Sequence, residues 1–479
     1  MTPQILTRRG FLGASAALGA LSLIPATARA ASPLGLTATS RVLDVDGRAA
    51  SVYGIANSLG GQGLVLNPGE PFQLSVTNGL DVETILHWHG QIPPNVQDGV
   101  PGAPMPALVP GEVRAYDFTP RAGTHWMHSH IPVQEMQLLA APLIVRRPEE
   151  VAEDRQEVVM FLHDFSFTPP EEILAGLTGG TGEMNHAMHG LAGSEGGTGM
   201  MGMDMSGMDM SGMGGMAMDL NDIAFDAYLA NDRTLNDPEV TTVEAGGRVR
   251  LRVINAAAAT VFWIDTGAVD AQLVAVDGEP VQPITGRRFG LAMAQRIDLL
   301  IDLPAGEGAF PILALREGAQ ERAGIILATA GASIGKLPVL GDEVAPAFDL
   351  TLESQLVALN PLPVRSVDQA PMVMLSGSMM PYQWAISGPV TARTGERVEI
   401  MFHNMSMMGH PMHLHGHAFQ VVNLGGRVFA GAVRDTVYLP PMSMVTVAVD
   451  AGEAANWMLH CHHMAHLASG MMTEFQVSA

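Results

Sequence analysis

The sequence predicts an all-β chain built from three sandwich or barrel units. Two observations carry this. From Leu36 onward, short runs of alternating apolar residues stand between Gly, Pro and Asp turns, as in Phe72-Gln73-Leu74-Ser75-Val76 and Val249-Arg250-Leu251-Arg252-Val253. Long stretches of helical periodicity are absent. The second observation is a repeat. Gly69-Glu70, Gly246-Gly247 and Gly395-Glu396 each lead into a strand, and the three strands end at Asn78, Asn255 and Asn404. Nine and eleven residues after the asparagine, the first copy has His87 and His89 and the third has His413 and His415, where the middle copy has Ile264 and Thr266. The copies also end alike, Trp126-Met127-His128-Ser129-His130 against Trp457-Met458-Leu459-His460-Cys461-His462. A chain of 479 residues is long enough for about three domains.

In chain order, residues 1–30 read as a twin-arginine signal peptide. Thr7-Arg8-Arg9-Gly10-Phe11-Leu12 opens an apolar run to Ile24, and Ala28-Arg29-Ala30 offers a small-residue cleavage site. The run is short of the roughly 20 residues a spanning helix needs, so the expectation is a soluble periplasmic protein with no stable membrane insertion after processing. Unit one is expected over 31–150, unit two over 151–343 and unit three over 344–479. The second is interrupted at about 175–219 by a stretch rich in Gly, Met and Ser, which lacks the apolar bulk to fold alone. A net charge of −23 excludes a nucleic-acid partner, which requires a basic footprint. The single cysteine excludes an internal disulfide framework.

Ten of the 17 histidines lie in motifs: His87, His89, His128, His130, His410, His413, His415, His460, His462 and His466. On an extended strand residues i and i+2 share a face and i+1 takes the other. His460 and His462 therefore point together and Cys461 points away, so the strand becomes a wall between two metal sites. Four H-x-H pairs supply eight imidazoles, enough for a cluster of three ions and too many for one. Half come from 87–130 and half from 413–462, so units one and three must pack face to face with unit two as a spacer. Across the wall, His410, Cys461, His466 and Met471 form a His₂Cys set with a weak thioether, the ligand combination of blue copper. A structural zinc site on Cys461 and three histidines would leave about six histidines unexplained.

With these motifs in place, the chain resembles the multicopper oxidases, which carry H-W-H-G, H-S-H, H-P-x-H-L-H-G-H and H-C-H-x₃-H-x₃-G-M. They stand here at His87–Gly90, His128–His130, His410–His417 and His460–Met471. The resemblance implies three cupredoxin-like Greek-key domains and four copper ions. Type 1 copper would lie on His410, Cys461, His466 and Met471, and type 2 on His87 and His413. A type 3 pair would lie on His89, His128, His130, His415, His460 and His462. It also implies catalysis in which Cys461 passes on electrons from four one-electron oxidations, O₂ becomes two waters, and Asp98 assists proton transfer near the type 2 ion. One departure stands out: many bacterial members have a Glu where this chain has Leu467.

Methionine points to the substrate. Eleven lie between Met184 and Met218, among them Met203, Met205, Met208 and Met210, and Met405, Met407 and Met408 precede His410. Thioethers are soft donors that favour Cu(I), and a Gly/Ser/Asp-rich run has no core for methionine to fill. This is similar to the methionine-rich cuprous oxidases of the periplasm, so Cu(I) is the expected reductant, for copper tolerance. Ser406 falls where some of them place an Asp. The alternatives are a laccase-type oxidase of phenols or aromatic amines, and a non-catalytic copper-binding scaffold; the latter would be expected to have lost ligands, and none is missing.

Overall fold

The computed structural model describes residues 34–179, 220 and 222–479; the expected twin-arginine leader and nearly all of the methionine-rich insertion, including Met203, Met205, Met208 and Met210, lie outside them. Six β-sheets form three pairs, built from strands within 34–145, 156–329 and 372–478. Local chemistry explains the first hairpin: strands Leu34–Val45 and Arg48–Asn57 are joined at Asp46-Gly47, both at positive φ, as a tight two-residue turn requires. Strand Phe72–Asn78 alternates as its sequence dictates, burying Phe72, Leu74 and Val76. Among the described residues no helix is long and apolar enough to cross a membrane.

The repeated asparagine has a physical reason. Asn78, Asn255 and Asn404 are fully buried, and each side-chain amide donates to one backbone carbonyl of the turn that follows and to a second one 30–36 residues on. Asn78 reaches Val82 and Leu108, Asn255 reaches Thr260 and Leu291, and Asn404 reaches Met408 and Leu439. Each Oδ1 in turn accepts the N–H two residues on. One side chain thus satisfies backbone groups that burial would otherwise orphan, and it pins the loop leading to the histidines of the outer copies.

Strand Arg248–Asn255 departs from simple alternation. Arg250 and Arg252 are buried, not solvated. Arg252 meets Glu150, Glu157 and Asp298, and its Nη1 also donates to Thr124 Oγ1 at 2.9 Å. The polar face of this strand packs against the first sheet pair, so its charges are neutralised by acids and not by water.

Glu317 lies under the segment that leads out of the second sheet pair, where its carboxylate accepts the N–H of Phe348. Burial raises its pKa to about 7. With the folded value above the unfolded one, its stabilising contribution is full below the ordinary carboxylate range and is lost as pH rises through about 7. Glu317→Gln keeps the acceptor and removes the charge. Calorimetry should show it stabilised at pH 8 by up to about 3 kcal/mol and unchanged at pH 4; equal gains at both would refute the assignment.

Candidate metal centre

The expected packing of the first and third sheet pairs is observed. His87 Nε2 lies 3.4 Å from His413 Nε2, although the two residues are far apart in sequence. His415 Nε2 lies 3.2 Å from His130 Nε2 and 3.1 Å from His460 Nε2. A third group, His89, His128 and His462, has ring centroids 5.0–5.6 Å apart. All eight histidines are buried.

Backbone carbonyls select the tautomers. Nδ1–H donates to a carbonyl in His87 (Asp98), His128 (Ser129), His413 (Asp435) and His460 (Cys461), each at 2.8–2.9 Å. Each Nε2 is left with its lone pair. His415 achieves the same through Asp98, whose Oδ2 is 2.8 Å from Nδ1. His89 is reversed: Nε2 is held by Asp435 Oδ1 and Thr436 Oγ1, both at 3.1 Å, which frees Nδ1. His89 Nδ1, His128 Nε2 and His462 Nε2 have no partner, an unusual state for buried polar atoms. Burial holds His89, His128, His130, His413, His415 and His462 well below the ordinary imidazole range, and His460 at about 3. Neutral imidazoles with unshared lone pairs fit a metal cluster.

Strand Asn456–Cys461 forms the wall. On its far side Cys461 Sγ lies 3.7 Å from both His410 Nδ1 and His466 Nδ1, which are 3.2 Å from each other. Met471 is fully buried beside them; its N–H donates to His466 O and its carbonyl accepts from Cys461. The outward nitrogens are held as well. Ser406 Oγ is 2.7 Å from His410 Nε2 and donates to Asn404 Oδ1, so it accepts from the histidine. Asp222 Oδ2 is 2.9 Å from His466 Nε2 and accepts Tyr382 O–H at 3.0 Å. Such outer partners fix ligand rings toward a metal. Gly409 belongs to this geometry, since a Cβ there would sit 1.9 Å from Tyr438 Oη. Burial pushes the Cys461 thiol up, so it ionises only when a bound cation draws off the proton.

Several residues here escaped sequence reasoning. Asp222 and Arg296 come from the middle stretch, so the spacer reading needs correction: the middle pair supplies groups that hold both sites. Arg296 pairs with Asp435, which holds His89. Glu135 is buried with Oε2 2.7 Å from His128 Nδ1 and Oε1 3.6 Å from His462 Nδ1. A signal for it existed. It follows His128 at the spacing by which Leu467 follows His460, so the first copy carries the acid that the third lacks. Met405 and Met407 are exposed beside Ser406, whereas Met408 is packed in the core.

Comparison with known proteins agrees with this geometry. The multicopper oxidase family matches three segments, residues 37–150, 201–332 and 366–479. Multicopper oxidase MmcO of Mycobacterium tuberculosis is 30% identical, over 98% of this chain and 96% of its own. Copper resistance protein A of Escherichia coli is 24% identical over 96% and 95%. Among solved structures, Fet3p, a multicopper oxidase that functions in iron import, superposes with a TM-score of 0.73 at 17% identity, covering 92% of this chain and 90% of that one. The laccase from Botrytis aclada gives 0.73 at 20%, covering 92% and 87%. With three matching segments and a full-length relative, this chain belongs to the multicopper oxidase family, copper-dependent enzymes that oxidise a reducing substrate with O₂.

Proposed function

We propose that this protein is a periplasmic cuprous oxidase, exported by the twin-arginine route, that oxidises Cu(I) to Cu(II) for copper tolerance. The carrying observation is the placement of soft donors. Met405 and Met407 are 51% and 63% exposed on the segment whose Ser406 hydroxyl bonds His410. Methionine normally serves as core filler, and exposed thioethers at the outer edge of a copper site favour Cu(I) over a phenol. Copper resistance proteins among the relatives agree with this substrate.

In this reading four coppers are bound. Type 1 would be held by His410, Cys461, His466 and Met471, and type 2 by His87 and His413. The type 3 pair would be held by His130, His415 and His460 and by His89, His128 and His462. Bound copper supplies one-electron redox chemistry, so four Cu(I) oxidations match the reduction of one O₂, with four protons, to two waters. The protein's part is positional. Ser406 and Asp222 aim the Nδ1 atoms of His410 and His466 at Cys461, and burial keeps water from the thiolate. The backbone from Cys461 to His460 and His462 is the short covalent link to the cluster. Asp98, Glu135 and Asp435 are carboxyl groups in contact with its histidines, and Leu467 provides none.

Steady-state O₂ uptake with Cu(I) or a phenol as sole donor tests the reading; faster phenol oxidation would favour a laccase-type enzyme instead. Deleting residues 184–218 should lower Cu(I) turnover severalfold and leave the blue colour intact. Unchanged Cu(I) turnover with phenol oxidation still low would remove the insertion from substrate handling.

A further inference from the structure

Eight methionines among the described residues are exposed, and all eight lie between Met372 and Met444. Their placement follows from strand register. In the third sheet pair, strand Arg397–Asn404 runs between strands Met372–Met379 and Met444–Asp450. His403 is registered with Met374 on one side and with Met444 on the other. Two residues back, Met401 is registered with Met372. Cross-strand partners share a face, and their Cβ atoms stand about 5 Å apart. That face is outward, because the alternate residues Val373, Phe402 and Val445 are buried. One imidazole is therefore flanked by two thioethers with two more behind, and these five side chains include no carboxylate.

We propose that Met374, His403 and Met444, backed by Met372 and Met401, form a surface binding site for Cu(I). Flexible thioethers and one imidazole are soft donors that accept Cu(I) and offer a hard cation nothing. A packing role does not explain the array, since Met374 and Met444 are 44% and 45% exposed and Met372 is 55% exposed. The site also leads toward electron transfer. From His403 the chain continues through Met405 and Ser406, whose Oγ reaches His410 Nε2, and the exposed Met442 donates its N–H to Ser406 O. A line of exposed sulfur thus runs from the sheet face to the outer edge of the Cys461 site. The binding claim stands on this geometry alone, and its role in delivering substrate rests on the cuprous oxidase reading.

The test uses full-length holoenzyme, reduced and anaerobic, competed for Cu(I) against a chromophoric chelator. Met374→Leu/Met444→Leu removes both sulfurs at nearly constant volume and should retain one Cu(I) fewer per chain than the parent. Its KM for Cu(I) should rise roughly tenfold, with phenol oxidation unchanged. His403→Gln, in case the double variant folds poorly, should lose the same ion. Equal Cu(I) retention in parent and both variants overturns the site. A parent that retains the additional ion yet does not oxidise Cu(I) supports the site and overturns the enzyme reading instead.

Discussion

Cys461→Ser should abolish both the blue colour and turnover, while the coppers of the histidine cluster still bind. Sγ is the only soft anionic donor in the chain, fully buried and 3.7 Å from each of two imidazole nitrogens. A serine hydroxyl neither ionises there nor forms the thiolate bond that gives blue copper its colour. Folding should tolerate the change, since the cavity is nearly isosteric and the N–H of His463 that points at Sγ can donate to an oxygen. The first copy already shows this arrangement. Ser129 stands where Cys461 stands, its hydroxyl donating to Gln134 and accepting from Ile131, and Gln134 stands where the third copy has His466. Thr84 and Leu139 likewise stand where the third copy has His410 and Met471, so the first copy lacks all four ligands of the Cys461 site. Copper analysis and visible spectra of the variant check this; surviving blue colour would exclude Cys461 as the type 1 ligand.

The sequence disclosed whatever depends on short spacing. Strand alternation fixed the β class, and H-x-H and H-C-H placed donors on defined faces because a strand's period is two. Groups whose partners are distant in the chain were illegible. Asp222 reaches His466, and Asp435 reaches His89 and Arg296, across 139 to 346 residues, and a lone acid in a loop has no periodic signature. Burial of Arg250 and Arg252 was not legible, because alternation reports a strand's own two faces and not what packs on the outer one. The Met374–His403–Met444 row was hidden for a related reason. Each residue was visible, but the register that aligns them belongs to strand pairing. Glu135 was the exception, recoverable by laying the first repeat over the third.

Asp435→Ala should be the most destabilising single change at the junction. Arg296 is fully buried and joins all three sheet pairs. Its guanidinium donates to Thr124 O of the first, Ala294 O of the second, and both carboxylate oxygens of Asp435 in the third, at 2.7 and 2.5 Å. Burial works against ionisation of Asp435, but Arg296 outweighs it and draws the carboxyl down to about 2. A depressed pKa means that the stabilisation is present above the ordinary carboxylate range and is lost only as pH falls through about 2. The cost of the substitution should therefore be constant from pH 5 to pH 8, in contrast to Glu317→Gln. Removing one partner of a buried pair costs roughly 3–5 kcal/mol, softened here because Asp277 remains 3.7 Å from Arg296. His89 Nε2 loses an acceptor in the same step, so copper loading of the cluster should fall as well. Asp435→Leu with Arg296→Met separates the two effects. An apolar pair of similar volume restores much of the stability but gives His89 nothing to orient it, so folding should recover and copper content should not. Unfolding of Asp435→Ala within about 0.5 kcal/mol of the parent would show that the ion pair does not hold the junction together.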